Sequence, residues 1–495
     1  MPGSAEPLAA GTEKPVQAMN EGVVQDNYLK PGGYREILKI SFPLIMSTSS
    51  FSLMHVVDRI FLSWYSPESL AASMPAGAAA WSIMSLFIGT TSYVSTFVSQ
   101  YDGAQRPQRI GAVIWQGIYL SLIASAILVF GFLAAEPLFN LAGHDPAVRK
   151  EEITYFNVLI VGSGGMIFSS ALSAFYAGRG KTWIIMWVNM AGSLMNGVLD
   201  YFFIFGKWGF PEMGIFGAGL ATVIAPWCIT LFYFCLLFLR RNREQFGTLA
   251  HWRIDRELFG RLLRYGLPSG LQWMTDITAF TVFILLIGRI GALELAASNI
   301  AFAINHLLFM PMVGMSMGTS VLVGRYLGAN HPNLAALTTM NAFRMTMVYM
   351  VLFSIAIAAW PEIFVAVFRP RESDIDFEKL SNLSRQLLYF VAAYSVVDAG
   401  NIVFSSALRG AGDTRFVLMV ILVIASAVLV IPSFVACVLL DAGIYTAWVI
   451  LTVYVVVLAF SFWARFQAGH WKKMRVIEHV PSPGATIAEG PVLET

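Results

Sequence analysis

Charge is what this chain has least of: Asp, Glu, Lys and Arg make up 13% of its 495 residues, about half the share in an ordinary soluble domain. With 57% hydrophobic residues and a mean hydropathy of +0.66, that scarcity excludes a globule solvated by water alone. The net charge of +2 is too small to imply a nucleic-acid partner, and the basic residues fall in short loops rather than along one helix face. Cysteine is nearly absent. Cys228, Cys235 and Cys437 lie in apolar stretches with no Cys-x-x-Cys spacing, so they read as packing residues rather than a redox or zinc site.

Catalytic motifs are missing too. Gly180-Lys181-Thr182 resembles the end of a phosphate-binding loop, but Phe175 stands where that loop needs a glycine. There is no Gly-x-Ser-x-Gly elbow and no His/Cys/Glu array at metal-ligand spacing. The expectation is therefore a protein that is not an enzyme and has no cofactor. No short apolar core with an Ala-x-Ala site precedes Tyr34, so the first helix is expected to direct insertion itself.

What is present is a series of about twelve apolar windows, each of the roughly 20 residues that a 30 Å hydrocarbon core requires. They predict an all-α integral membrane protein with spans at 35–64, 69–98, 108–134, 150–177, 183–206, 214–240, 260–289, 295–324, 336–368, 384–408, 415–440 and 443–466. Basic residues collect in alternate loops, in Arg35 and Lys39, Arg106 and Arg109, Arg179 and Lys181, Arg240 to Arg264, Arg325, Arg409 and Arg415, and Arg465 to Arg475. By the positive-inside rule both termini are expected in the cytoplasm.

The polar, basic stretch between the sixth and seventh windows divides the chain into two halves that repeat each other. LAAS at Leu70–Ser73 recurs at Leu295–Ser298; at the same spacing Pro43 matches Pro268, and the turn from Tyr101 to Pro107 matches that from Tyr326 to Pro332. Gly178–Thr182 and Gly410–Thr414 form a further pair at a slightly larger spacing. An even number of helices per repeat makes both cross in the same sense, so the lobes are expected to be related by a pseudo-twofold along the membrane normal, with a cavity between them. The expected organisation is a disordered N-terminal tail (1–33), an N-lobe (34–241), a linker (242–257), a C-lobe (258–468) and a C-terminal tail (469–495), with 476–495 rich in Gly, Pro, Ala and Glu and read as disordered.

Four aspartates sit inside these apolar windows. A carboxylate at bilayer depth costs about 2.5–3.5 kcal/mol on insertion scales, so one marks ion handling or substrate binding until shown otherwise. Asn196 and Asp200 are four residues apart and share a helix face; with Asp58 and Thr222 they form a hard-oxygen set suited to a proton, Na⁺ or another hard cation. Tyr394 and Asp398 repeat the spacing in the second half, beside Asp276. Keeping an aspartate protonated at pH 7 costs about 4 kcal/mol, close to the cost of burying it charged, so neither state wins decisively. At the fixed spacing Asp58 aligns with Phe283 and Asp276 with Phe51, so each half carries its own polar site. His55, three residues before Asp58, and His306, beside Asn305, are candidate modulators; Met310, Met312, Met315 and Met317 read as packing or lipid-facing residues.

From about Tyr34 to Phe466 the chain resembles the multidrug and toxic compound extrusion (MATE) family, in its bacterial NorM/DinF-like range: twelve helices in two lobes, the duplicated LAAS and turn segments, and Ala-Leu-Arg-Gly-Ala-Gly-Asp-Thr after the tenth helix. The resemblance implies secondary active efflux by alternating access, with Na⁺ or H⁺ exchanged for amphipathic, often cationic organic compounds. It assigns cation coupling to Asp58, Asn196, Asp200 and Thr222, and cation or substrate binding to Asp276, Tyr394 and Asp398. Asp276 stands where such members usually have glutamate. The resemblance further implies a monomer surrounded by membrane lipid in the bacterial inner membrane. A lipid or lipid-linked substrate flippase of the same superfamily is the alternative.

Overall fold

The helix starts are written in proline. Pro67, Pro107, Pro146 and Pro332 each occupy the first turn of a helix, where a missing N–H costs no intrahelical bond. Side chains satisfy other exposed donors: Ser66 accepts from Ser69 N (3.0 Å) and Asp255 from Leu258 N (3.0 Å). A computed structural model describes residues 31–142, 145–368 and 377–478, and those residues contain helices and connecting turns but no strand.

Twelve long helices run through it: α1 Tyr34–Tyr65, α2 Pro67–Gly103, α3 Pro107–Asn140, α4 Pro146–Gly178, α5 Thr182–Phe205, α6 Gly214–Leu237, α7 Arg256–Ile290, α8 Ala292–Gly328, α9 Pro332–Ala359, α10 Phe377–Ala411, α11 Thr414–Leu439 and α12 Ile444–Gln467. Eleven are apolar enough, by length and composition, to cross a membrane. The exception is α5, whose hydropathy is lowered by Asn189, Asn196 and Asp200. Pro43 and Pro268 lie inside α1 and α7. Cys437 is buried, but Cys228 and Cys235 are exposed on α6, which corrects their reading as packing residues. A thiol is apolar enough to face lipid, so its apolar surroundings in sequence did not fix its burial.

The lobes meet through a twofold set of close contacts. A Cβ on Gly103 would lie 2.0 Å from the carbonyl oxygen of Arg325, and a Cβ on Gly328 would lie 2.0 Å from that of Gln100. At the spacing that pairs Leu70 with Leu295, Gly103 pairs with Gly328 and Gln100 with Arg325, so each contact is the image of the other. Gly89 against Gly270 and Gly314 against Ile45 form a second reciprocal set. The turns after α2 and α8 are also images: Gln105 and Asn330 both adopt left-handed backbone, at φ 57° and 61°.

Inter-lobe bonds cluster on the face that carries the described chain ends. Arg325 donates to Asp102 (2.7 Å), Tyr93 to the Arg409 carbonyl (2.7 Å), Gln100 to the Gly410 carbonyl (3.0 Å) and Asn341 to the Gly32 carbonyl (3.0 Å). The deepest is Thr48 to the Met310 carbonyl (3.1 Å). Beyond it, toward the opposite face, no hydrogen bond among the described residues joins the lobes, although His306 of α8 comes near His55 and Arg59 of α1.

The linker folds onto the N-lobe: the Thr248 carbonyl accepts from Trp115 (2.6 Å) and that of Arg253 from Gln116 (3.3 Å). Residues 469–478 are equally ordered, with Trp471 and Val476 fully buried. The disordered tail expected from 476 therefore excludes Val476, Ile477 and Glu478, which pack against the bundle; the N-terminal tail expected over 1–33 likewise excludes 31–33, where Gly32 is buried and bonded to Asn341 and Glu36, and residues 1–30 and 479–495 lie outside the described residues.

Candidate functional site

Helix α5 turns its polar face inward, and that rotation builds the first cluster. Asn196 and Asp200 are fully buried on it, facing Asp58 of α1 and Thr222 of α6, each 4% exposed. The Asn196 amide is oriented with its nitrogen toward the acids, as the surrounding groups require. It donates to Asp58 Oδ1 (3.0 Å) and Asp200 Oδ2 (3.2 Å), while its oxygen accepts from Thr222 N (3.2 Å). The Thr222 hydroxyl donates to the Ala218 carbonyl (2.9 Å). Asp58 Oδ2 and Asp200 Oδ1 have no hydrogen-bond partner.

Sequence spacing paired Asn196 with Asp200, with Asp58 and Thr222 as candidate partners, and the structure brings all four together. It adds Tyr155 of α4, buried beside Thr222 and both carboxylates. That tyrosine stands on a helix with no other site residue, so its spacing carries no signal. His55 approaches Asp58 at 3.7 Å through Nδ1 and packs edge-on against Phe51, 4.6 Å between ring centroids. His306 projects from α8 of the other lobe, near His55 and Arg59.

The second cluster belongs wholly to the C-lobe. Asp276 is half-buried on α7 and accepts from Gln272 Nε2 at 3.5 Å, at the limit of a hydrogen bond. Asp398, on α10, accepts from Asn401 Nδ2 (2.9 Å). The two carboxylates are close enough for their charges to interact, with Tyr454 of α12 near both and Arg409 of α10 near Asp276. Tyr394 shares the α10 face of Asp398 and is buried, but no hydrogen bond among the described residues joins the two. Asn401, three residues on rather than four, satisfies the acid instead.

Among the described residues no three His, Cys, Asp or Glu side chains converge as a metal site would require. Met312 and Met315 pack inside the bundle, whereas Met317 is exposed.

The MatE family model matches this sequence twice, over residues 43–202 and 268–435, one match per lobe. The chain is 28% identical to the multidrug resistance protein NorM of Burkholderia vietnamiensis over 379 residues, covering 76% of this chain and 81% of that one. It is also 28% identical to the multidrug resistance protein MdtK of Pectobacterium atrosepticum over 409 residues, covering 81% and 86%. In fold it resembles a MOP superfamily transporter from Pyrococcus furiosus, with a TM-score of 0.82, 22% identity, and coverage of 92% of this chain and 100% of that one. Two lobes, each matched by the same family model and each enclosing buried acids, lead to one assignment: the chain belongs to the MatE family of membrane transporters and is not an enzyme.

Proposed function

We propose that the protein is a cation-coupled exporter of amphipathic, often cationic organic compounds, working by alternating access from the inner membrane with both termini in the cytoplasm. The observation that carries this reading is the buried pair Asp58 and Asp200. Two carboxylates bridged by one amide, with only His55 among the described residues within ion-pair distance of either, attract a cation into a site sealed from bulky ligands. Small size is thus a condition of entry.

The donor geometry favours a proton over Na⁺. Asn196 presents its nitrogen to the acids and spends its oxygen on Thr222 N, so the amide offers no oxygen to a metal ion in this arrangement. Na⁺ would need that amide to turn over. A proton needs only the unpartnered carboxylate oxygens.

The C-lobe acids suit a different ligand. Asp276 is only partly buried where Asp200 is fully buried, so an organic cation too large for the N-lobe cluster has its better approach at Asp276. With the termini inside, the face closed by the inter-lobe bonds is the cytoplasmic one. A bound proton at Asp58 and Asp200 then neutralises the N-lobe and permits the inward opening, and the membrane potential contributes about 2.3 kcal/mol per charge per 100 mV.

The test is efflux from proteoliposomes under an imposed pH gradient or an imposed Na⁺ gradient, applied separately. The pH gradient is expected to drive export, and Asp200→Asn to lower gradient-driven export at least tenfold. Full ion-dependent export by that variant would sink the reading.

A further inference from the structure

The pseudo-twofold has one informative breach. On one side of the seam Tyr326, from the C-lobe, donates to Oε2 of Glu36 on α1 (2.5 Å). At the spacing that pairs Leu70 with Leu295, the mate of Tyr326 is Tyr101 and the mate of Glu36 is Arg261. The second half of the seam therefore pairs a tyrosine with an arginine and lacks the acid that its image supplies. Glu478 fills that place from outside the repeat. Its Oε2 accepts from Tyr101 (2.8 Å) and lies 3.7 Å from Arg106, while its Oε1 accepts from Arg109 and lies 3.5 Å from Arg261.

We propose that residues 469–478 form a strap, with Glu478 as its clasp, which holds the two lobes together on the face bearing the chain ends and must be released before the lobes part on that face. Tyr101, Arg106 and Arg109 belong to the N-lobe and Arg261 to the C-lobe, so a single carboxylate spans the seam. The strap is anchored on both sides of its clasp's approach. Trp471 is fully buried, stacked on Phe466 of α12 (4.9 Å) and donating to the Phe466 carbonyl (2.8 Å). Val476 N donates to Gln100 Oε1 of the N-lobe (2.9 Å), and Gln100 in turn donates to the Gly410 carbonyl of the C-lobe. Arg475 donates to Asn330 (3.3 Å).

Electrostatics makes the clasp two-state. Arg109 also pairs with Asp255 (3.0 Å) and Arg261 with Glu257 (3.8 Å), but these acids do not cross between Arg106 and Arg261 as Glu478 does. With the clasp withdrawn, arginines of both lobes face each other across the seam and repel. Docked, the strap favours the closed face; released, it leaves a charge pattern that favours opening.

The inference rests on the alternating-access reading, and its test is independent of transport. Gln108 and Asn333, exposed repeat mates at the starts of α3 and α9, are replaced by cysteine in the full chain with its three native cysteines removed, and spin-labelled in lipid nanodiscs. The distance between them is then measured by pulsed electron resonance. Glu478→Gln is expected to raise the ratio of separated to closed lobes by about fivefold, the scale of a partly exposed ion-pair network. Adding Arg261→Glu, which rebuilds the acid that the twofold lacks, is expected to restore the closed distance. Unchanged distances in Glu478→Gln, or no restoration in the double variant, would overturn the strap. A lobe separation that responds as expected in a protein without gradient-driven efflux would leave the strap standing and overturn the exporter reading instead.

Discussion

Asp58 and Asp200 are adjacent because one asparagine faces both of them, and the same local logic extends to the surface acid Glu478. Burial pushes the Glu478 carboxyl up, but the hydrogen bonds from Arg109 and Tyr101 and the Arg109 charge outweigh it and hold it below the usual carboxylate range. A group whose docked value is depressed contributes docking energy in full above its free value and loses it as pH falls through the docked one. The facing groups are Tyr101 on α2, Arg106 before α3, Arg109 on α3 with its partner Asp255, and Arg261 on α7 with Glu257. The distance between labels at positions 108 and 333 is therefore expected to stay constant from pH 8 to about 5 and to lengthen only below about pH 4. Glu478→Gln should show no such transition, and an identical acid response in both chains would exclude Glu478 as its cause. Asn196 and Asp200 were legible in sequence because their four-residue spacing survives folding unchanged, and Asp58 because an acid in an apolar window stands out wherever it lies. Tyr155 and Asn401 were not, since each is joined to its acid by packing or by a spacing that many pairs share. Glu478 was invisible: its meaning depends on Arg261 replacing an acid that only the folded twofold reveals.

At the scale of the helix, small residues set how closely the lobes approach. A methyl group on Gly103 or Gly328 would press a carbonyl oxygen at 2.0 Å, a distance that only backbone movement relieves. Gly103→Ala and Gly328→Ala are each expected to destabilise the closed seam by about 1–3 kcal/mol, as overpacking does. The two effects should be similar, because the contacts are images. Gly260→Ala and Gly443→Ala, with nothing within 4 Å of the added carbon, serve as controls and should leave thermal stability and lobe distance unchanged. An equal loss in controls and seam variants would show that the twofold contact is not what is being read. Helix positions were largely legible from the apolar windows; most ends move by a few residues, but the span expected to 368 stops at Ala359, because Pro361 opens a separate short helix, Pro361–Ala366. The least hydropathic helix by window, α5, is the one whose polar residues form the buried acid cluster, so the criterion that finds membrane helices works against the helix proposed to carry the coupling.

Over the whole molecule, the duplicated LAAS and turn segments make two lobes and their axis readable in the sequence, because a repeat in sequence is a repeat in space. The conformation was not readable, since inward and outward openings use the same sequence. The seam has a property that follows from Gly103 on Arg325 and Gly328 on Gln100: it is isologous, each patch meeting the counterpart of itself, as in a homodimer with twofold symmetry. One polypeptide thus contains what amounts to a dimer interface, and its two protomers need no covalent tether to recognise each other. Cut within the linker and co-expressed as two chains, residues 1–247 and 248–495 are expected to co-purify from the membrane. Removing Glu478 from the second chain should weaken that association more than it weakens the intact protein, because in the divided molecule the strap is one of the few bonds that the symmetry alone does not supply.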